Sequence, residues 1–185
     1  MKDKKIITFI GRISSGKGTA AAYLVEKYGA EMFTFSNILR DVIQRLKLEE
    51  TRDNFIRMSE ILRGAFGEDL LSRIMAADAT AATSEIVAID GTRRETDVEH
   101  LKDLPGFVLV AINAEPKIRY ERLSKRNVKA DDQTKTYEEF LADEQRSTEV
   151  SINEIIDSAT HQIDNNGDLD ALHTQLDALI DSLGE

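Results

Sequence analysis

The sequence contains no cysteine, which removes disulfides, thiolate zinc sites and thiol catalysis together and agrees with a cytosolic setting. Three histidines leave little material for imidazole metal chemistry. No apolar stretch approaches the roughly 20 residues needed to span a bilayer. Residues 1–5 are followed only by a strand-length apolar run, so neither a membrane span nor a signal peptide is expected, and a cytoplasmic location is. Positive charge is also in short supply: 24 Lys and Arg stand against 34 Asp and Glu, a net charge of −10. That balance argues against broad electrostatic binding to nucleic acid or an anionic membrane, so any cationic site must be local. Internal repeats and low-complexity tracts are absent as well. The 185 residues suit one α/β domain with insertions, as a monomer or a dimer.

What the sequence does have begins at Gly11-Arg12-Ile13-Ser14-Ser15-Gly16-Lys17-Gly18-Thr19. Residues 6–10 before it are β-branched or aromatic, and residues 19–28 after it follow a helical period through Ala20, Ala21, Leu24 and Val25. A strand, a glycine-rich turn and a helix in that order form a phosphate cradle. Gly11 and Gly16 let backbone N–H groups converge, Ser14 and Ser15 line the loop, the helix start adds its dipole, and Lys17 supplies a point charge. A flexible turn is the plainer alternative. The strict pattern places Ser or Thr directly after the lysine to meet Mg²⁺. Gly18 stands there instead, and the hydroxyl arrives at Thr19.

Five strands are expected, at 6–10, 32–35, 86–90, 107–112 and 161–164, separated by helix-like sequence. Such alternation argues for a parallel sheet covered on both faces. Between the second and third lie about fifty residues, 36–84, far more than a minimal crossover requires. Their apolar positions give three helical periods: 38–46, 55–62 and 70–75. A helix is expected over 95–104, a mobile loop over 127–135, and a capping box at Thr136 and Glu139 opening one long helix toward residue 157.

Phosphoryl transfer needs two aligned phosphates and positive charge over the transferring oxygens. Arginine suits that task because its fork binds phosphate in two places and stays charged in a dry cleft. Arg40 lies one turn into the helix after the second strand, near Ser36, and reads as an acceptor clamp or as an exposed helix residue. Asp90-Gly91-Thr92-Arg93-Arg94 ends the third strand with a carboxylate and two arginines. Asp90 is placed to hold Mg²⁺ or orient the attacking group, and Arg93 or Arg94 to reach the acceptor. Arg119, Arg122 and Arg126 share one helical face and read either as charge over the transfer or as partners of nearby acids. Asn166 lies in the turn 165–168 after the fifth strand, at the same edge as the loop, or simply in an ordinary turn before a helix capped by Asp168.

The Gly-Lys-Gly-Thr form of the loop, the segment ending Leu39-Arg40, Asp90-Gly91-Thr92-Arg93, and Glu121-Arg122-Leu123-Ser124-Lys125-Arg126 together resemble adenylate-kinase-like nucleoside and deoxynucleoside monophosphate kinases over the whole chain. The resemblance implies a P-loop three-layer sandwich with a five-stranded parallel sheet, a helical acceptor-binding insert at 36–84 and a short lid at 127–135. It implies ATP and Mg²⁺ as cofactors and a small-molecule nucleotide as acceptor. Gly11, Ser14, Ser15, Gly16, Lys17, Gly18, Thr19 and Asn166 would hold the donor, and Ser36, Arg40, Asp90, Arg93 and Arg94 the acceptor. Thr19 and Asp90 would face the metal, while Lys17, Arg122, Arg126 and Asp90 would act in the transfer. Lys129, Asp131 and Asp132 resemble the end of such a lid, with lysine where arginine is usual; Arg146 would substitute for it if its helix faces the cleft, and is otherwise a solvated surface arginine. Dephospho-coenzyme A kinase shares the same parts. A nucleotide-dependent regulator with slow ATP hydrolysis and a non-catalytic ATP-binding module are the alternatives from other classes.

Overall fold

The computed structural model describes residues 4–125, 136–144 and 147–184. Along them run β1 (Lys5–Ile10), α1 (Lys17–Tyr28), β2 (Glu31–Thr34), α2 (Phe35–Arg45), α3 (Arg52–Phe66), α4 (Leu70–Ala81) and β3 (Ile86–Asp90). There follow α5 (Glu95–Val98), β4 (Phe107–Asn113), α6 (Pro116–Lys125), α7 (Tyr137–Glu144), α8 (Ser147–Asp157), β5 (His161–Asp164) and α9 (Leu169–Ser182). The strands form one sheet in the order β2-β3-β1-β4-β5, and every pairing is parallel.

Alternation along the central strands sorts the core into two faces. Ile7 and Phe9 of β1 join Ala88, Val108 and Val110 under α1 and α9, where Ala20, Ala21, Leu24, Leu172 and Leu176 close the layer. Ile6 joins Val87 and Ile89 under α2, α3 and α4, through Leu39, Ile43, Met58, Leu71 and Met75. Ile10, Leu109 and Ala111 continue that second face under α5 and α8. Because β1 is buried on both faces, its sequence reads as a continuous apolar run. The three-layer sandwich expected from the resemblance is the architecture found.

Local chemistry explains where elements stop. The second strand ends at Thr34 rather than at residue 35, because the Thr34 hydroxyl accepts from the Asn37 N–H at 3.2 Å and starts α2 there. Thr51 and Asp168 cap α3 and α9 in the same way. Thr136 and Glu139 exchange both bonds of the capping box, at 2.8 and 3.2 Å.

One expectation needs correction. The helix expected over 95–104 is a single turn, α5, followed by turns to residue 104; a residue preceding a proline is pushed out of helical geometry, and Pro105 follows Leu104. Val98 and Leu101 are nonetheless fully buried, so the apolar contacts survive the change in backbone. Of the long helix expected from residue 136 toward 157, the described parts are helical, as α7 and α8. The third helical period within 36–84, α4, lies in the layer covering the sheet, with Leu71, Met75 and Ala79 in the core. No helix among the described residues is long and apolar enough to cross a membrane.

Between α1 and α9, Asp177 accepts hydrogen bonds from Lys27 Nζ, Tyr28 Oη and Tyr23 Oη, each at 2.7 Å. These donors, Lys27 foremost, hold its carboxyl down at about 2. Burial and the bond to Asp177 push the Tyr28 phenol up to about 12. A folded-state value below the unfolded one of about 3.9 means the contribution is full above about pH 4 and disappears as pH falls toward 2. For Tyr28 the loss comes on the alkaline side, as pH rises from about 10 to 12. Urea midpoints measured from pH 5 to pH 2 are expected to fall, and Asp177→Asn is expected to flatten that slope.

Candidate functional site

The carboxyl ends of the strands, at Ile10, Thr34, Asp90, Asn113 and Asp164, lie along one edge of the sheet. Ligands in open α/β sheets bind outside that edge. The loop between β1 and α1 turns there on three residues of positive φ: Ser14 at 58°, Gly16 at 110° and Gly11 at 155°. Glycine at 16 and 11 is required by close approach as well as by φ. A methyl group on Gly16 would overlap Asn165 Nδ2, and one on Gly11 would overlap the Ile112 carbonyl oxygen and lie 2.6 Å from Ser15 Oγ.

Lys17, the first residue of α1, folds back over this loop and donates to the carbonyls of Gly11 and Arg12 at 2.7 and 3.0 Å. The hydroxyls of Ser14 and Ser15 are buried there without a hydrogen-bond partner among the described residues. Orphaned donors beside a helix start and a lysine fit the tail of a triphosphate.

Asp90 stands next to the loop, since a methyl group on Gly18 would lie 3.7 Å from Asp90 Oδ2. Its Oδ1 accepts from the Gly91 N–H at 2.7 Å, leaving Oδ2 without a hydrogen-bond partner among the described residues. This matches the way Mg²⁺ is commonly held, by one carboxylate together with substrate phosphates. No group of three or more acidic or imidazole side chains suited to a metal occurs among the described residues. Gly18 is the position that faces Asp90. Thr19 is exposed and, one residue further round the helix, points about 100° away.

The arginines divide. Arg40 pairs with Glu50 at 3.0 Å, bonds Asn37 and lies over the Phe55 ring at 5.4 Å. Ser36, exposed, bonds the Thr34 hydroxyl at 3.0 Å. Arg94 pairs with Glu68 at 3.0 Å. Arg93 is exposed, and its guanidinium has no partner among the described residues. Arg122 donates to Asn165 Oδ1 at 3.5 Å and to the Gly167 carbonyl at 3.3 Å, with its Nη1 buried and unpartnered among the described residues. Arg126, Lys129, Asp131, Asp132, Arg146 and the expected lid at 127–135 lie outside the described residues.

Two residues touch the loop in ways that the sequence reading did not foresee: Asn165, and Arg119, which was expected over the transfer or beside nearby acids. Asn165 is 5% exposed and donates to the Ser15 carbonyl at 2.7 Å. Its neighbour Asn166 instead bonds Asp164 within the turn and accepts from the Glu115 N–H of the loop between β4 and α6. Arg119 points inward, 2% exposed, donating to the carbonyls of Ala114 and Ile13 and lying over the Phe140 ring. Its spacing of four from buried Leu123 was the available signal, because it places Arg119 on the apolar side of α6. For Asn165, two adjacent asparagines offered no way to choose.

A family model described as an AAA domain matches residues 11–140, from the first glycine of the loop to α7. The chain belongs to the AAA domain family. A relative from Sulfurisphaera tokodaii, called a UPF0200 protein, is 29% identical over 176 residues, covering 95% of this chain and 96% of that one. Among solved structures, shikimate kinase from Bacteroides thetaiotaomicron superposes with a TM-score of 0.67 at 16% identity, covering 97% and 98% of the two chains. Shikimate kinase from Acinetobacter baumannii in complex with shikimate gives 0.55 at 14% identity, covering 98% and 94%. These likenesses show that the AAA domain here has the P-loop kinase-like fold.

Proposed function

We propose that this protein transfers the terminal phosphoryl group of ATP to a nucleoside or deoxynucleoside monophosphate, giving the diphosphate. The reading is supported by what meets at one sheet edge: the Lys17 loop, the Asp90 carboxylate facing Gly18, and Arg93 on the turn after Asp90, unpaired among the described residues. The loop and Lys17 hold the donor phosphates. Bound Mg²⁺, held by Asp90, would offset charge on the transferring oxygens. Arg93, with no acidic partner among the described residues, meets the acceptor's anionic group. Arg122, bonded to Asn165 and Gly167 beside the loop, would supply charge over the transfer.

A panel of nucleoside and deoxynucleoside monophosphates and dephospho-coenzyme A, read by ADP release with Lys17→Ala as control, tests this. Turnover indifferent to every small acceptor and raised only by a macromolecule would replace it with a nucleotide-dependent regulator. ATP affinity with no reaction at all would leave a binding module.

One observation favours a second reading. The unpartnered Oδ2 of Asp90 is suited to accept a proton from an attacking hydroxyl, which a phosphate acceptor does not require. Turnover of dephospho-coenzyme A alone would select it.

Choice between the two arginines is directly measurable. Arg93→Ala is expected to lower kcat/KM for the acceptor about 10²-fold, the loss of one charged hydrogen-bonding group of about 2.7 kcal/mol. Arg94→Ala, which also frees Glu68, is expected to cost less than about tenfold. Equal losses would assign the acceptor to both.

A further inference from the structure

One buried ion pair joins the helical insert to the turn that carries Arg93 and Arg94. Arg63 of α3 donates from Nη2 to Asp97 Oδ1 at 2.6 Å, and the two side chains are 5% and 4% exposed. The other carboxylate oxygen, Oδ2, accepts from the N–H groups of Arg93 and Arg94 at 2.9 and 3.0 Å. Arg63 also donates from Nε to Ser59 Oγ at 3.4 Å and from Nη1 to the Glu68 carbonyl. Glu68 reaches across to Arg94, and Asp69 holds His100 Nε2 at 2.7 Å. The turn between α3 and α4 and the turn between β3 and α5 are thereby stitched together.

Stability alone is a weak reason for such a pair, because an apolar pair of similar volume generally serves as well or better in a core. Direction is what the pair adds. A planar guanidinium meeting a carboxylate fixes distance and angle, and the same carboxylate pins two consecutive amides. Since α5 is one turn long, it gives the segment after Gly91 little helical support of its own.

We propose that Arg63 and Asp97 are positioning residues for acceptor recognition, holding the Arg93–Arg94 turn at a fixed offset from the α2–α3 insert. The offset presents Arg93 to the acceptor's anionic group while the remainder of the acceptor rests on the insert. The role rests on the phosphoryl-transfer reading above. It requires no contact between Arg63 or Asp97 and the substrate.

The test uses the full chain with Arg63→Met, Arg63→Lys and Asp97→Asn, and Leu176→Ala in the opposite layer as a control for lost core stability. Amide hydrogen exchange at residues 93 and 94 is followed without any acceptor. Kinetics are then measured with ATP and the panel member that the wild type turns over fastest. For Arg63→Met and Asp97→Asn, exchange at both amides is expected to quicken about tenfold or more. Acceptor kcat/KM is expected to fall about 10- to 100-fold, as a misplacement near 1 Å would give, through a raised acceptor KM with the ATP KM little changed. Arg63→Lys is expected to recover part of the loss, and Leu176→Ala to melt earlier with an unchanged acceptor KM. Unaltered exchange, or a rise in acceptor KM no larger than that of Leu176→Ala, overturns the proposal. A wild type that turns over no panel member overturns the reading beneath it; quickened exchange in the variants then distinguishes that failure from failure of the pair.

Discussion

Replacing Lys17 with alanine is expected to slow phosphoryl transfer about 10²- to 10³-fold, a loss of roughly 2.7–4 kcal/mol of electrostatic stabilisation. The ammonium group donates to the carbonyls of Gly11 and Arg12 in its own loop. Phosphate oxygens carry full charge and bind an ammonium more strongly than a carbonyl does, so an arriving triphosphate would take over those two bonds. In a site from which water is excluded, that charge acts where negative charge builds up during transfer. The fold should survive, since residue 17 is only partly buried and alanine is the strongest helix former at the start of α1. Coupled ADP release and a thermal melt on one preparation check both halves. A variant with normal melting and wild-type turnover would remove Lys17 from the mechanism.

Gly11→Ala is expected to damage both stability and nucleotide binding. The added methyl group meets the Ile112 carbonyl, which is backbone of a central strand and has no rotamer to change. It also meets Ser15 Oγ, a buried hydroxyl of the loop itself. Relief requires the loop to lift from β4, at a cost of about 1–3 kcal/mol for overpacking. In a chain of this size that corresponds to a melting point lower by about 2–12 °C. The lifted loop no longer presents its amides to a phosphate, so ATP affinity by calorimetry is expected to fall at least tenfold. Unchanged affinity would mean that the phosphate site tolerates a displaced loop.

Legibility in the sequence tracked the range of the forces involved. The Lys17 loop, the run of residues 6–10 and the capping box at Thr136 and Glu139 are encoded by neighbours a few residues apart, and each stands where the sequence places it. Helical periodicity likewise gave α2, α3 and α4 but not their destinations. Three amphipathic segments look alike until the sheet is present, and then all three pack into one layer on the face of Ile6, Val87 and Ile89. The break after α5 was written in Pro105, whose effect on Leu104 competes with a helical spacing that the core still uses.

By itself, then, the sequence determined the kind of molecule: a parallel α/β sheet, a phosphate-holding loop after its central strand, and carboxylate and arginines delivered to the same edge. Those follow from spacing, hydropathy and caps, which act over a single turn or strand. Only the tertiary structure decided which polar residue in each run faces which partner. Arg119 went inside while Arg122 reached the turn after β5; Asn165 rather than Asn166 met the loop; Arg40 and Arg94 were taken by Glu50 and Glu68 while Arg93 was left open. Each choice is a contact between segments remote in sequence or at the far end of a turn, set by how helices seat on the sheet, and no local pattern carries that distance.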